Sequence, residues 1–269
     1  MENINSIKFA TWNIDQARRE EGYENTKFDT RWDKIYEYIT KLDADILCLQ
    51  ELRNLETSKI KVNDLLYYIS KLGYDYKHVY YGPDDISFAL AIFYKRDKFF
   101  VSNVFSHLLP IPNNIKENMS KVILRLNLTC IKSKKSFVVC NTHLGLDEVE
   151  KSLAVSYLSN RFLKNIGSFL CAGDYNFFDD RRGIEQRNDM LSNSIDLAFP
   201  LENIIGTFMG YNHDEFKQPF EKMSRLDHVF SNGIKRIGDF ASVYGDIEMI
   251  KNRTYPSDHL LIYFSFVIE

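Results

Sequence analysis

The chain is 269 residues long, 45% hydrophobic and 26% charged, with a formal net charge of −3. That profile is globular, with ample material for a core, and no apolar run approaches the roughly 18 residues that span a bilayer. The net acidity argues against bulk electrostatic binding to duplex nucleic acid, which rests on many Lys and Arg contacts, and leaves room for a local basic rim.

Met1-Glu2-Asn3-Ile4-Asn5 has neither the basic nor the apolar part of a signal peptide, so the expected location is cytoplasmic, with unconventional export left open. Cys48, Cys130, Cys140 and Cys171 each sit in an apolar strand-like run without C-x-x-C spacing, and they read as reduced core thiols.

In chain order, Ile7 to Trp12 reads as a strand ending in Thr11-Trp12-Asn13-Ile14-Asp15, followed by a polar loop from Gln16 to Lys27. Phe28, Trp32, Ile35, Ile39 and Leu42 recur at helical intervals, with Thr30-x-x-Asp33 as a capping signal. Asp43-Ala44-Asp45 turns the chain into Ile46-Leu47-Cys48-Leu49, a continuous apolar strand that delivers Gln50-Glu51. Val62, Leu65, Leu66, Ile69 and Leu72 predict a second helix, closed by Gly73. Lys77 to Tyr81 and Phe88 to Tyr94 are strands flanking a Gly-Pro-Asp-Asp turn, and Pro110 to Ser120 is an irregular loop.

Val122 to Leu128 and Phe137 to Cys140 form a predicted hairpin around Lys132 to Lys135, delivering Asn141-Thr142-His143-Leu144. Leu146, Val149, Leu153, Tyr157 and Phe162 then mark one stripe of a helix. The apolar run Ser168 to Ala172 ends in Gly173-Asp174-Tyr175-Asn176. A loop carrying Arg181, Arg182 and Arg187 follows, then a helix around Met190 to Leu197 and a loop from Thr207 to Phe220. Arg225 to Phe230 is a strand, and Ser257-Asp258-His259 opens a terminal strand through Ile268. Without repeats or linkers the chain reads as one domain, residues 1–269, of α/β class with two packed sheets.

Several strand ends present chemistry in order: Asn13 and Asp15, Glu51, His143, Asp174 and Asn176, Asp227, then Asp258 and His259. Taken singly, each carboxylate is an ordinary turn residue, and His143 an ordinary satisfied histidine. Their joint occurrence points to one site at a sheet edge. Glu51, Asp258 and Asn13 are hard oxygen donors suited to Mg²⁺ or Mn²⁺. Asp227 is placed to orient the His259 imidazole, and Asp174 to orient or deprotonate water. Asn176 and His143 can donate to oxygens that gain charge. No Ser or Cys sits in a nucleophile elbow, so metal-assisted phosphoester hydrolysis fits better than acyl transfer. His78, His107, His213 and His228 read as structural or surface residues, and Trp12 and Trp32 as core.

The ordered set TWNID, LQE, THL, GDYN, RLDH and SDH resembles the endonuclease/exonuclease/phosphatase superfamily of DNase I-like metal-dependent phosphoesterases. The resemblance implies a four-layer sandwich of two mostly antiparallel sheets with helices outside. It implies that Asn13, Glu51 and Asp258 hold the metal, with Asp15 supporting them, and that Asp174 is the water-orienting base. Asn176 and His143 would contact the scissile phosphate, and Asp227 would orient His259. Tyr255-Pro256-Ser257-Asp258-His259 is similar to the tyrosyl-DNA phosphodiesterase 2-like branch. The THL histidine fits that branch and also deadenylases, sphingomyelinases and inositol phosphatases, and the loop from Gly206 to Phe220 is similar to that of small uncharacterised members.

The expected function is a Mg²⁺-dependent phosphodiesterase, with Mn²⁺ as substitute, acting as a monomer on a nucleic-acid or nucleotide-type phosphoester, single-stranded or end-type. The alternatives are hydrolysis of lipid or inositol phosphate headgroups, and a non-catalytic binding protein that keeps the fold. Clustered carboxylates are costly without a metal, and the intact acidic set argues against that last alternative.

Overall fold

The computed structural model describes residues 6–15, 28–54, 58–82, 88–112, 121–202, 204, 206–208, 223–245, 248–249 and 255–269. The elements along the chain are β1 (Ile7–Asn13), α1 (Phe28–Leu42), β2 (Ile46–Arg53), α2 (Val62–Ser70), β3 (Tyr74–Tyr81) and β4 (Phe88–Lys95). Then come β5 (Phe99–Leu108), β6 (Val122–Cys130), β7 (Ser136–His143), α3 (Glu148–Tyr157) and β8 (Phe169–Asp174). The last elements are α4 (Arg181–Leu191), β9 (Ile195–Asp196), β10 (Asp227–Asn232), β11 (Ile234–Val243) and β12 (Ile262–Ile268).

The strands form two six-stranded sheets, ordered β11-β12-β1-β2-β4-β3 and β5-β6-β7-β8-β10-β9. Pairing is antiparallel except between β1 and β2 in the first sheet and between β7 and β8 in the second. Each parallel pair is joined by a helical crossover, through α1 and α3 respectively, as parallel neighbours require. Those four strands are almost wholly buried, which explains their near-continuous apolar runs.

Leu124, Leu126, Val139, Leu170 and Val229 of the second sheet share one core with Phe9, Cys48, Ile92 and Phe266 of the first, so the sheets pack face to face. A second core (Cys140, Cys171 and Phe230 with Val155, Leu158 and Met190) lies between the second sheet and α3 and α4. The result is the four-layer α/β sandwich. A buried polar link crosses between the sheets at mid-strand: Gln50 donates to Asn141 Oδ1 at 2.7 Å, and Asn141 donates to the Leu49 and Ala91 carbonyls, both at 2.9 Å. Among the described residues no helix is long and apolar enough to cross a membrane.

Several elements differ from the sequence reading. Helix α1 starts at Phe28, so Thr30 and Asp33 lie inside it; Asp29 instead accepts from Ser58, Lys59 and Ile60, pinning the segment that enters α2. β5 and β11 carried no strand signal, because most of β5 and half of β11 are exposed and their partners cover only one edge or face. The stripe Leu146, Val149 and Leu153 faces outward, and α3 buries Lys151, Ala154 and Val155 instead. Arg181 to Arg187 is not a loop: α4 begins at Arg181, capped by Asp180, whose side chain accepts from Gly183 N. Ser257 to His259 precedes β12 as a turn, with His259 bridged to Phe208. The predicted loops Gln16 to Lys27, most of Pro110 to Ser120 and most of Thr207 to Phe220, with His213, lie outside the described residues. Trp12 and Trp32 are buried, as are Cys48, Cys140 and Cys171; Cys130 is half-buried, and all four thiols are free.

Candidate active site

The two parallel pairs end side by side. Asn13 closes β1 opposite Gln50, with Glu51 next on β2, and His143 closes β7 opposite Asp174 at the end of β8. β10 runs back from Asp227, which pairs with Asp174. Register within each sheet and the packing of the two sheets thus gather these residues at the carboxyl ends of the two parallel pairs, with Asp227 entering from the start of antiparallel β10.

Asp174 is the hub. Its Oδ2 accepts from Asn13 Nδ2 at 3.0 Å and lies 3.6 Å from His143 Nε2 and 3.5 Å from His259 Nε2, while Oδ1 accepts from Asn176 N at 2.9 Å. The same Asn13 amide donates to Glu51 Oε1 at 3.0 Å, and that oxygen lies 3.7 Å from His143 Nε2. His259 Nδ1 donates to Asp227 Oδ2 at 2.8 Å. The hydroxyl of Tyr81 meets His143 Nδ1 at 2.8 Å; when it donates there, the His143 proton sits on Nε2, toward the carboxylates. Asn176 Nδ2 lies 3.4 Å from His143 Nε2 and donates to Leu144 O at 2.9 Å.

Local backbone makes this convergence possible. Asp15, Glu51 and Asn176 have φ of 46°, 58° and 52°, the left-handed region that side chains rarely occupy. Strain of this kind collects at working sites and persists only where the surroundings enforce it. Gly173 is required at its position, since a Cβ there would run into the carbonyl oxygen of Thr142 on β7.

Burial pushes the Asp174 carboxyl up to about 7; the nearby His259 opposes that shift, and Asp227 and Glu51 add to it. Burial also raises Glu51, with Asp15 adding to the effect. For His259, burial disfavours the charge, but Asp227 and Asp174 outweigh it and hold the ring well above the usual histidine range. His143 goes the opposite way: burial, then Lys121 and His259, push it well below that range. The site thus pairs one cationic histidine with one neutral one, the kind of divergence that separates acid from donor roles.

The donor set fits a divalent cation. Glu51, His143 and Asp174 form one group of potential ligands and Asp174, Asp227 and His259 another, with atoms in each group within 4.8 Å of one another. Asp227 Oδ1 is buried with no hydrogen-bond partner among the described residues, a group that a cation or water would satisfy. Of the residues named from the sequence, Asp258 sits at the margin, its Oδ1 4.0 Å from His259 Nε2. Asp15 lies outside both groups, its backbone N–H donating to Asn13 Oδ1 at 3.0 Å. Asn13, expected as an oxygen ligand, presents its amide N–H groups to Glu51 and Asp174, and its Oδ1 accepts from Asp15 N.

Four supporting residues carried no sequence signal. Arg31, buried on α1, donates to Ile14 O at 3.1 Å, Asp15 O at 2.6 Å and Pro256 O at 2.6 Å, tying two site turns together. Lys151, also buried, donates to Asn176 O at 2.8 Å and pairs with Glu148. Lys121 is buried beside the site, its Nζ 5.4 Å from the Tyr81 ring centroid; burial lowers its ammonium pKa, against the pull of Glu150, Glu51 and Asp174. Tyr81 itself read only as a strand residue.

A family model described as the Endonuclease/Exonuclease/phosphatase family matches residues 10–259, from Ala10 in β1 to His259. The chain belongs to the Endonuclease/Exonuclease/phosphatase family. It is accordingly a phosphoesterase, and its acidic and histidine groups are consistent with the metal-dependent type. No curated protein matches the sequence.

Among solved structures, a functionally unknown conserved protein from Enterococcus faecalis V583 is similar with a TM-score of 0.76 and 16% identity, over 98% of this chain and 100% of that one. D. rerio TDP2 complexed with a single-strand DNA product has a TM-score of 0.71 and 18% identity, over 97% and 98%. The Bacteroides thetaiotaomicron VPI-5482 mannosyl-6-phosphatase Bt3783 also has a TM-score of 0.71 and 18% identity, over 97% and 100%. At these identities the likeness supports the Endonuclease/Exonuclease/phosphatase fold.

Proposed function

We propose that the chain is a Mg²⁺-dependent phosphodiester hydrolase, for which Mn²⁺ can substitute, acting on nucleic-acid or nucleotide-type phosphoesters at single strands or ends. The observation that carries this reading is the gathering of Glu51, His143 and His259 around the single buried carboxylate Asp174. The likeness to TDP2 with its single-strand DNA product supports the substrate class. The whole chain is read as one catalytic domain.

Asn13, Glu51 and Asp258 would hold the ion, with Asp15 supporting them. A bound divalent ion would acidify a water and offset charge on the phosphoryl oxygens. Asp174, its pKa raised to about 7, would in its ionised form orient the attacking water and take its proton. His259, kept cationic by Asp227, gives its Nε2 proton to a phosphoryl or leaving oxygen. His143 and Asn176 donate hydrogen bonds to the non-bridging oxygens as charge builds there.

A second reading, cleavage of a lipid or inositol phosphate headgroup, is favoured by the exposed apolar residues Leu146, Val149 and Leu153, which begin two residues beyond Leu144. Parallel assays with Mg²⁺ on a single-stranded oligonucleotide, on phospholipid vesicles and on sugar phosphate monoesters decide between them. The proposal expects oligonucleotide cleavage to dominate, and preferential turnover of either other class would overturn it.

A further inference from the structure

A cavity of about 620 Å³ opens on the reverse face of β10, between α4, β9 and the segment from Phe199 to Ile204. Its volume falls in the range of small-molecule sites. Asp227 and His228 are consecutive on this strand and point to opposite faces, Asp227 toward the candidate active site and His228 into this cavity.

The floor is an ion pair already satisfied within itself. His228 donates to Asp196 Oδ2 at 2.6 Å and to Arg225 O at 2.9 Å. Asp196 Oδ1 accepts from Ala198 N at 3.0 Å and Val229 N at 3.1 Å, so both oxygens of the carboxylate are engaged. The neutralised acid therefore presents little repulsion to an incoming anion.

The walls combine positive charge with apolar and flat surfaces. Arg187 donates from Nη2 to the half-exposed Asp179 at 3.2 Å, while its Nε is buried with no hydrogen-bond partner among the described residues. Arg187 lines the cavity, so its guanidinium sets a positive charge in the wall to meet an anion. The guanidinium of Arg225 lies 5.1 Å from the Phe199 ring centroid, a flat surface of the kind on which ring systems stack. Leu191, Leu201 and Ile204 supply the apolar remainder.

We propose that this cavity binds a small anion with a flat ring system, of the nucleoside monophosphate class, its phosphate on Arg187 and its base against Phe199 and the neighbouring apolar wall. A bare inorganic anion would leave most of the volume unfilled. The site also reaches the catalytic residues through one short segment. Beyond Ile204, Thr207 Oγ1 accepts from Leu226 N and Asp227 N, both at 3.0 Å, and the Phe208 ring packs 4.9 Å from the His259 ring. An occupant that fixes Phe199 to Ile204 thereby steadies the support beneath the Asp227–His259 pair. Binding there does not depend on the proposed reaction.

Calorimetric titration with AMP in the presence of chelator, for the wild type, Asp174→Asn and Arg187→Leu, tests the site. The proposal expects Asp174→Asn to keep its affinity and Arg187→Leu to weaken it by about tenfold or more, the loss of a charge-assisted hydrogen bond. Inorganic phosphate should bind about tenfold or more weakly than AMP, having no ring to bury. Photolabelling of the wild type with azidoadenosine monophosphate, followed by peptide mapping, places the ligand even if Arg187→Leu folds poorly, and the label should fall on the Phe199–Ile204 or Arg225–His228 peptides. Absence of AMP binding, binding lost in Asp174→Asn and kept in Arg187→Leu, phosphate binding as tightly as AMP, or a label confined to active-site peptides would each overturn it.

Discussion

Asp227 Oδ2 lies 2.8 Å from Nδ1 of His259, and the opposite ring nitrogen of His259 lies 3.5 Å from Asp174 Oδ2. One imidazole thus connects a carboxylate that fixes its charge to a carboxylate that faces the reaction. Burial opposes the charge, so the imidazolium depends on its carboxylate partners, with Asp227 foremost. Asp227→Asn keeps the shape and removes the charge. It should lower kcat by about a hundredfold or more, within the range for a positioned acid, with little change in KM. An unchanged kcat would remove His259 from the proton-handling role.

The supports of the site should be separable from its chemistry. Arg31→Met removes the donor shared by three buried carbonyls, of Ile14, Asp15 and Pro256. The expected cost is about 2–5 kcal/mol, because each acceptor is left buried and unmet. Denaturant unfolding reads it directly, and a loss under half a kcal/mol would contradict the role given to Arg31.

Gly173→Ala and Gly167→Ala make a matched pair. At Gly173, φ is 155° and the new methyl group meets Thr142 O, whereas at Gly167 nothing lies within 4 Å. The first should destabilise by about 2–4 kcal/mol through a forced shift between β7 and β8, and the second by under about 0.5 kcal/mol. Equal effects would mean that the glycine of the Gly-Asp-Tyr-Asn turn is not fixed by this close approach.

This contrast also shows what could be read from residues alone. The buried parallel pairs announce themselves, because burial on both faces writes a continuous apolar run, and each run ends in a polar group with no stabilising purpose of its own. That is how Asn13, Glu51, His143 and Asp174 could be picked out. Leu146, Val149 and Leu153 misled for the converse reason: a helical stripe reports amphipathicity and not which face is covered, and here the buried face centres on Lys151, a cation held by Asn176 O and Glu148. Edge strand β5 left no pattern because most of its residues face solvent. Arg31 and Lys121 were invisible, since only the fold tells a buried cation from a solvated one.

The pH response of the metal-free protein follows from Asp174. Its folded pKa of about 7 lies above the ordinary 3.8, so the folded state binds the proton more tightly. That contribution is fully present below about pH 4 and is lost as pH rises toward about 7. Thermal melts in chelator should show this stabilisation fading across that window in the wild type, and the wild-type-minus-variant difference against Asp174→Asn should carry the slope. A flat difference curve would show that Asp174 is ionised throughout.

The central claim is that Asp174 is the reacting carboxylate of a metal-dependent phosphoesterase. Its most direct test is hydrolysis of bis-p-nitrophenyl phosphate and p-nitrophenyl phosphate, with Mg²⁺, Mn²⁺ or chelator, by wild type and Asp174→Asn. The account predicts turnover that needs the metal, favours the diester and falls by about a hundredfold or more in Asp174→Asn. Turnover that survives chelation, or that Asp174→Asn retains, would contradict it.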